Sequence, residues 1–472
     1  MLRDPAPLWL LSGSLLLPLA CTDAGSASTS EPGDDAGTTT AASGSDAADS
    51  SGTTAAAEDP TFTYYRDAKA VLDAKCGGCH QPEDIAPFAL TTYDEVKAVA
   101  AALPGSIAAG TMPPWPPADG CNEYDHSRAL TADEQELLLT WLDEGAPAGD
   151  PADEPERPDD APQGFAPTLA IEMPEAYTPT EEPDDNRCFL VPWPEDATTY
   201  ITGFRVVPGN RSIVHHVILF NARPEDVDEL QALDDADPGA GYPCLCGVGS
   251  RASWVGGWAP GAVGDSVPDG TGMRIEPGSM MVLQMHYNTS SAAPAPDRTR
   301  VELELAAEVE HPAITVPFTN FQWALGGEPM LIPAGDPEVT YGYELKANNP
   351  LFRQVLADAD IGTDEALVVH SAALHMHYLG TSATLSVGRG SGGGEDCMLE
   401  INEWDFDWQG GYVLADPLRV APSDSLKISC TWDNSAENQP VVGGAVIEPQ
   451  DVQWGEGTTD EMCLGILYVT GE

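Results

Sequence analysis

The stretch IVHHVILF, residues 213–220, is short, apolar and rich in β-branched side chains, the composition of a buried strand. Similar runs recur at Met280 to Tyr287, Ala383 to Val387 and Leu464 to Val469, each bounded by Gly, Pro, Asp or Asn. From Glu181 onward this spacing predicts an all-β architecture of the sandwich or jelly-roll kind.

The same runs carry an unusual amount of histidine. Of nine histidines, five fall in three clusters: His215-His216 in IVHHVILF, His286 in VLQMHY, and His375 and His377 in LHMHYLG. Imidazole is the commonest neutral nitrogen ligand for metals, so this concentration in a histidine-poor, acidic chain points to metal centres. Residues i and i+2 of a strand share a face, so His375 and His377 can chelate one ion while Met376 points away. His215 and His216 are adjacent and can serve one ion only where the strand ends or bulges, with His286 as the obvious third donor. His311 and His370 read as structural or exposed.

At 472 residues the chain has room for two to four domains. Its net charge of −56 excludes nucleic acid as a partner and repels anionic lipid surfaces. Residues 1–20 read as an export signal, with an apolar stretch from Leu8 to Leu19 too short to span a bilayer. Leu17-Pro18-Leu19-Ala20-Cys21 resembles a bacterial lipobox, which makes Cys21 a lipidation site and the only membrane attachment expected, at the cell surface or in the periplasm. Residues 21–59 are Asp, Ser, Thr, Gly and Ala, too polar to bury a core, and read as a disordered tether. A second acidic, Pro-rich stretch from Pro147 to Pro167 marks a boundary, with a linker expected over 151–180.

Between tether and linker lies Cys76-Gly77-Gly78-Cys79-His80. Cys-x-x-Cys-His is the attachment signature of c-type haem, in which both thiols bond the porphyrin and the histidine ligates iron. The rival readings are a redox dithiol and half a zinc site, but no second Cys-x-x-Cys completes zinc. Residues 62–75 have helical spacing, and Leu130-Thr131-Ala132-Asp133-Glu134 opens a second helix with a capping box. Met112, in Gly110-Thr111-Met112-Pro113-Pro114-Trp115, is the candidate sixth ligand, with His126 as the alternative. Residues 60–150 thus resemble a small all-α cytochrome c domain of class I type.

Four motifs in order carry a second resemblance. Val214-His215-His216-Val217, Gln284-Met285-His286-Tyr287, His375-Met376-His377-Tyr378-Leu379-Gly380 and Asp460-Glu461-Met462-Cys463 make the rest of the chain resemble the copper type II ascorbate-dependent monooxygenases. That resemblance implies a multidomain chain, with an N-terminal copper domain over 181–308 and a C-terminal one over 309–472. It implies two copper ions, with His215, His216 and His286 holding an electron-storing copper, and His375, His377 and Met462 holding the catalytic copper that meets O2. It also implies a disulfide between Cys463 and Cys430. Cys188 is expected to pair with Cys244 or Cys246, while Cys121 and Cys397 are unassigned. Among seven cysteines outside the lipobox and CGGCH, at least one thiol is left over.

The residue types suit the chemistry, because imidazole accepts both copper oxidation states and the Met462 thioether favours Cu(I). Peptide-acting members of the family hold the substrate carboxylate with an arginine before His-x-His and polar residues after Met-Cys. Here those positions are Ala373, Leu464 and Ile466, so a small or apolar substrate is expected. The expected function is an exported monooxygenase that hydroxylates a C–H bond with O2. Its electrons would come from ascorbate, from the fused haem or from another external donor. The rival is a non-enzymatic copper and haem protein that passes electrons at an outer surface.

Overall fold

The computed structural model describes residues 60–82, 86–155, 165–244, 247–258, 265–289, 292–390, 392–406, 408–442, 445–455, 457 and 459–472. The expected export signal, Cys21, the tether and Cys246 lie outside them.

Residues 60–155 are helical and enclose their own core. A π-turn at Tyr64–Ala68 runs into the helix Lys69–Lys75, followed by Tyr93–Val99, Leu103–Ala108 and Ala132–Asp143. Tyr64, Leu72, Val96, Leu138 and Trp141 are buried together. The expected capping box is present at the last helix: Thr131 Oγ1 accepts from the Glu134 N–H while the Glu134 carboxylate accepts from the Thr131 N–H. Two otherwise orphaned donors are satisfied in this way.

From residue 169 to 470 the chain is mostly β-sheet. Val214–Ala222, Met280–Asn288, Gly380–Gly388 and Leu464–Gly471 are strands where apolar runs forecast them. A nine-stranded sheet crosses the whole β region. A five-stranded sheet containing Val214–Ala222 and Met280–Asn288 serves the first half. A four-stranded sheet containing Gly380–Gly388 serves the second. Each sheet is amphipathic, so the apolar faces close into two cores, one around Phe189, Leu219, Leu283 and Tyr287, the other around Leu367, Leu385, Ile428 and Trp432. The halves are fused through the long sheet: His311–Phe318 pairs in parallel with Thr271–Ile275 and antiparallel with Leu464–Gly471.

One expectation needs correction. The stretch 151–180 is not linker throughout, because Leu169–Glu172 is a strand paired with Arg300–Ala306, and Ile171, Met173 and Tyr177 are buried. The alternation Leu169, Ile171, Met173 is a half-buried strand pattern that the surrounding acidic composition obscured.

Three disulfides join Cys121 to Cys397, Cys188 to Cys244 and Cys430 to Cys463. Such bridges belong to an oxidising, extracellular type of environment. The bridge between Cys430 and Cys463 is the one the resemblance implied, and Cys188 takes the first of its two expected partners. Among the described residues no helix is long and apolar enough to cross a membrane.

Candidate metal centres

His216 stands directly opposite His286 on the paired strands Val214–Ala222 and Met280–Asn288, and the register shifts between Val214 and His216. That bulge leaves His215 outside the regular pairing and lets both adjacent histidines turn to one side, as their adjacency required. Nδ1 of His216 lies 3.4 Å from Nδ1 of His215 and 3.2 Å from Nδ1 of His286. Ligand nitrogens each about 2.0 Å from a common ion stand roughly 3.3–3.5 Å apart, so this spacing fits one metal held by three imidazoles. Nε2–H of His286 donates to Asp184 Oδ1 at 2.8 Å, which fixes the tautomer that presents Nδ1. The same hydrogen bond holds the Asp184 carboxyl below its usual value.

Burial disfavours the charged form of His215 and His216. Desolvation, with repulsion from His286, pushes His215 down to about 4, and His216 is depressed well below the ordinary imidazole value for the same reasons. His375 of the other cluster adds to the depression of His216, so the two clusters lie within electrostatic reach of each other.

The second cluster sits where strand Leu367–His375 ends. His375 is the last strand residue and His377 lies just past it, while Met376 is fully buried in the C-terminal core. The expected division of faces therefore holds, although the strand stops before His377. His375 Nδ1–H donates to Gln409 Oε1, and His377 Nδ1–H donates to the Asp460 carbonyl at 3.1 Å. With Nδ1–H so engaged, Nε2 is the deprotonated nitrogen of both rings, and the His377 ring also hydrogen-bonds the Gly457 backbone. The Asp460 contact brings the backbone of Asp460-Glu461-Met462 against His377, and Met462 is buried.

Glu461 organises this corner. Its carboxylate is fully buried and accepts from the backbone N–H of His377 at 2.9 Å and of Leu379 at 2.6 Å, from Trp432 Nε1–H at 2.7 Å and from the Met462 N–H at 3.3 Å. Burial raises the Glu461 carboxyl to about 7, against the opposing pull of those hydrogen bonds. The sequence quoted Glu461 only as part of a motif. An acid flanking the candidate ligand Met462 was the available signal, whereas Asp184 and Gln409 gave none.

Opposite residues of an antiparallel pair share a face, and Ala373 opposes Ile466 while His375 opposes Leu464. The three positions that depart from the peptide-acting pattern therefore form an apolar floor beside His375. Phe406 stands 6.1 Å from the His377 ring and stacks on Tyr378 at 4.3 Å.

In the helical region, Cys76 follows helix Lys69–Lys75, and the N–H groups of Cys79 and His80 both donate to the Cys76 carbonyl. Both cysteines are partly buried. His80 Nδ1–H donates to the Phe88 carbonyl at 2.9 Å, leaving Nε2 for a ligand role. Burial pushes the Cys76 thiol up to about 11, the opposite of the activated thiolate that a redox dithiol uses. These features suit a haem attachment turn. Met112 lies in the loop after helix Leu103–Ala108, and its N–H donates to the Ser106 carbonyl. His126 lies further along that loop with a positive φ of 55°. His311 is half-buried, and buried His370 bonds Thr470 through Nε2 at 3.0 Å. Sulfurs of Cys121 and Cys397 also lie near Glu400, but both are consumed in a disulfide and are no metal donors.

Two expected outcomes follow from this geometry. Asp184→Ala should weaken copper binding at the three-histidine centre by about 10–100-fold, read by competitive chelator titration, because His286 loses its orienting partner. The metal-free chain should lose stability as pH falls from about 6.5 toward 4. Folded His215 and His377 have pKa values of about 4 and 3, below the unfolded value, so the unfolded state takes up protons first. Thermal melts that are flat over that range would contradict it.

Among solved structures the chain is similar to the major capsid protein P2 of bacteriophage PM2, at 6% identity over 64% of this chain and 97% of that one, with a TM-score of 0.25. It is also similar to the VP2 subviral particle of infectious bursal disease virus, at 13% identity over 61% and 58%, with a TM-score of 0.16. Oxalate decarboxylase from Bacillus subtilis at pH 4.6 gives 8% identity over 59% and 79%, with a TM-score of 0.09. At these scores none bears on the fold or its chemistry. No curated protein matches the chain. Residues 169–293 match the copper type II ascorbate-dependent monooxygenase N-terminal domain, and residues 359–470 match the C-terminal domain of the same family. With both family domains in order, each enclosing its histidine cluster, the chain belongs to the copper type II ascorbate-dependent monooxygenases.

Proposed function

We propose that this oxidoreductase hydroxylates a C–H bond of a small, apolar or weakly polar substrate with O2, using two copper ions and a fused c-type haem module. The observation that carries the reading is the pairing of a three-imidazole Nδ1 centre with a separate corner where the His375 and His377 rings stand 5.1 Å apart and the Glu461 carboxylate ties together the backbones of His377 and Met462. Copper at these centres would supply two electrons, one from each ion, which hydroxylation with O2 needs beyond those of the C–H bond. His215, His216 and His286 would hold the storing copper, and His375, His377 and Met462 the copper that meets O2.

The chain's own residues do the positioning. Gln409 and the Asp460 carbonyl fix the tautomers of His375 and His377. Glu461 clamps the backbone on which His377 and Met462 sit. Ala373, Leu464 and Ile466 present no charge to a carboxylate, which favours an apolar substrate near His375. The CGGCH turn favours haem covalently held by Cys76 and Cys79 and ligated by His80, with Met112 as sixth ligand. Export and lipidation at Cys21 complete the reading, with ascorbate or another one-electron donor outside the chain.

Metal analysis of the purified full-length protein should give two coppers and one covalent haem per chain. A product screen under 18O2 should then give one labelled oxygen in the hydroxylated product. Product that carries oxygen from water, or a chain that binds one copper or none, would overturn the reading.

A further inference from the structure

The loop between helices Leu103–Ala108 and Ala132–Asp143 leaves the helical module and is built into the C-terminal copper domain. The Ala118 N–H donates to the Glu400 carbonyl at 2.8 Å, and the Asp125 N–H donates to the Val413 carbonyl at 2.9 Å. The Ala415 N–H returns a bond to the Glu123 carbonyl at 3.0 Å, and Tyr124 Oη–H donates to the Met398 carbonyl at 3.1 Å. Cys121 locks the loop to Cys397 across 276 residues of sequence. This is a fixed attachment, not a flexible one.

The loop's aromatic residues meet at one partner. The Trp115 ring stands 5.3 Å from Tyr412 and Tyr124 stands 5.6 Å from it, with Trp115 and Tyr124 6.2 Å apart. Tyr412 is buried and its hydroxyl has no hydrogen-bond partner, so its phenol is not there to complete a polar network. Along the chain Tyr412 is three residues from Gln409, which bonds His375, and across the sheet it opposes Ala372 on the His375 strand. At the other end, Lys75, the residue before Cys76, donates to the Ser127 carbonyl at 2.7 Å. Arg128, next to Ser127, lies over the Trp115 ring at 5.9 Å. A chain of contacts therefore runs from the CGGCH turn through Lys75, Ser127, Arg128 and Trp115 to Tyr412, and the short backbone stretch from Tyr412 back to Gln409 carries it on to His375. The loop's hydrogen bonds, disulfide and ring contacts to the β region given above all go to the C-terminal copper domain, not to the strands of His215, His216 and His286.

We infer that this docked loop is an electron entry arm, with Trp115 and Tyr412 bridging the helical module to the His375, His377 and Met462 centre, so that electrons enter there first. The inference rests on the haem reading of Cys76 to His80. In each transfer one electron leaves ferrous haem, which becomes ferric, and reduces one Cu(II) to Cu(I), with no bond made or broken. An external one-electron donor of the ascorbate class restores the haem.

The test uses the full-length, copper-loaded protein without oxygen or substrate. Its optical spectrum first reports whether haem is attached; a haem-free chain overturns this inference together with the reading beneath it. With haem present, a reductant pulse followed by optical recording of haem reoxidation and by the Cu(II) electron paramagnetic resonance signal measures transfer. His216→Ala, which leaves copper at the His375 centre, should keep the fast phase, and His375→Ala/His377→Ala should lose it. Trp115→Leu should slow that phase by on the order of tenfold or more with haem and copper content unchanged, and Trp115→Phe should restore most of it. A fast phase that survives loss of the His375 centre, or that ignores Trp115→Leu, overturns the inference while leaving the haem reading intact. A protease site placed within 156–164 supplies an independent check on docking. After cleavage the halves should migrate together without reductant and separate with it, and separation without reductant overturns the fixed attachment.

Discussion

His377→Ala is expected to abolish substrate-dependent oxygen uptake while leaving a folded chain that still carries one copper. His377 supplies Nε2 to the proposed oxygen-binding centre, and its tautomer is set by the Asp460 carbonyl. A bound metal is worth several kcal/mol of transition-state stabilisation, and about 4 kcal/mol corresponds to a rate loss of roughly 10³-fold, so turnover should fall at least that far. Copper content should drop from two ions to one, because His215, His216 and His286 form a separate centre on other strands. Oxygen electrode traces and copper analysis on the same sample check both halves. A variant that keeps more than a tenth of wild-type uptake would remove His377 from the catalytic centre.

Glu461→Ala should be the most destabilising single substitution around the sites. It leaves the N–H groups of His377, Leu379 and Met462 and the Trp432 indole N–H with no acceptor in a region sealed from water. Each unsatisfied buried donor costs about 1–3 kcal/mol before relaxation, so loss of the shared acceptor of these N–H groups should cost several kcal/mol. The midpoint of thermal unfolding should fall on the order of 10 °C for domains of this size. Glu461→Gln should fall between the two proteins, since one carbonyl oxygen still accepts while the new amide turns N–H groups toward donors. A melt of Glu461→Ala within 2 °C or so of wild type would show that water replaces the carboxylate.

Much of the candidate ligand set was legible because the evidence for it is local. Adjacent histidines in an apolar run demand a bulge if they share an ion, and the register shift at Val214 and His216 supplies one. An i, i+2 pair at a strand end demands a buried middle residue, and Met376 is that residue. Strand positions followed from apolar runs, and the capping box at Thr131 and Glu134 from four consecutive residues. The strand Leu169–Glu172 escaped because its apolar residues sit in a short run within acidic composition, too few to stand out by period alone.

What the sequence by itself determined is which atoms are offered to metals and on what kind of element, since donor chemistry and the periods of strand and helix are properties of neighbouring residues. Tertiary structure alone decided their partners. Asp184 reaches His286 across 102 residues, and Gln409 reaches His375 across 34. Cys121 finds Cys397, which a count of cysteines could not pair. These choices depend on strand register and on which faces pack together, and both are set by burial of the whole sheet, so no local pattern encodes them.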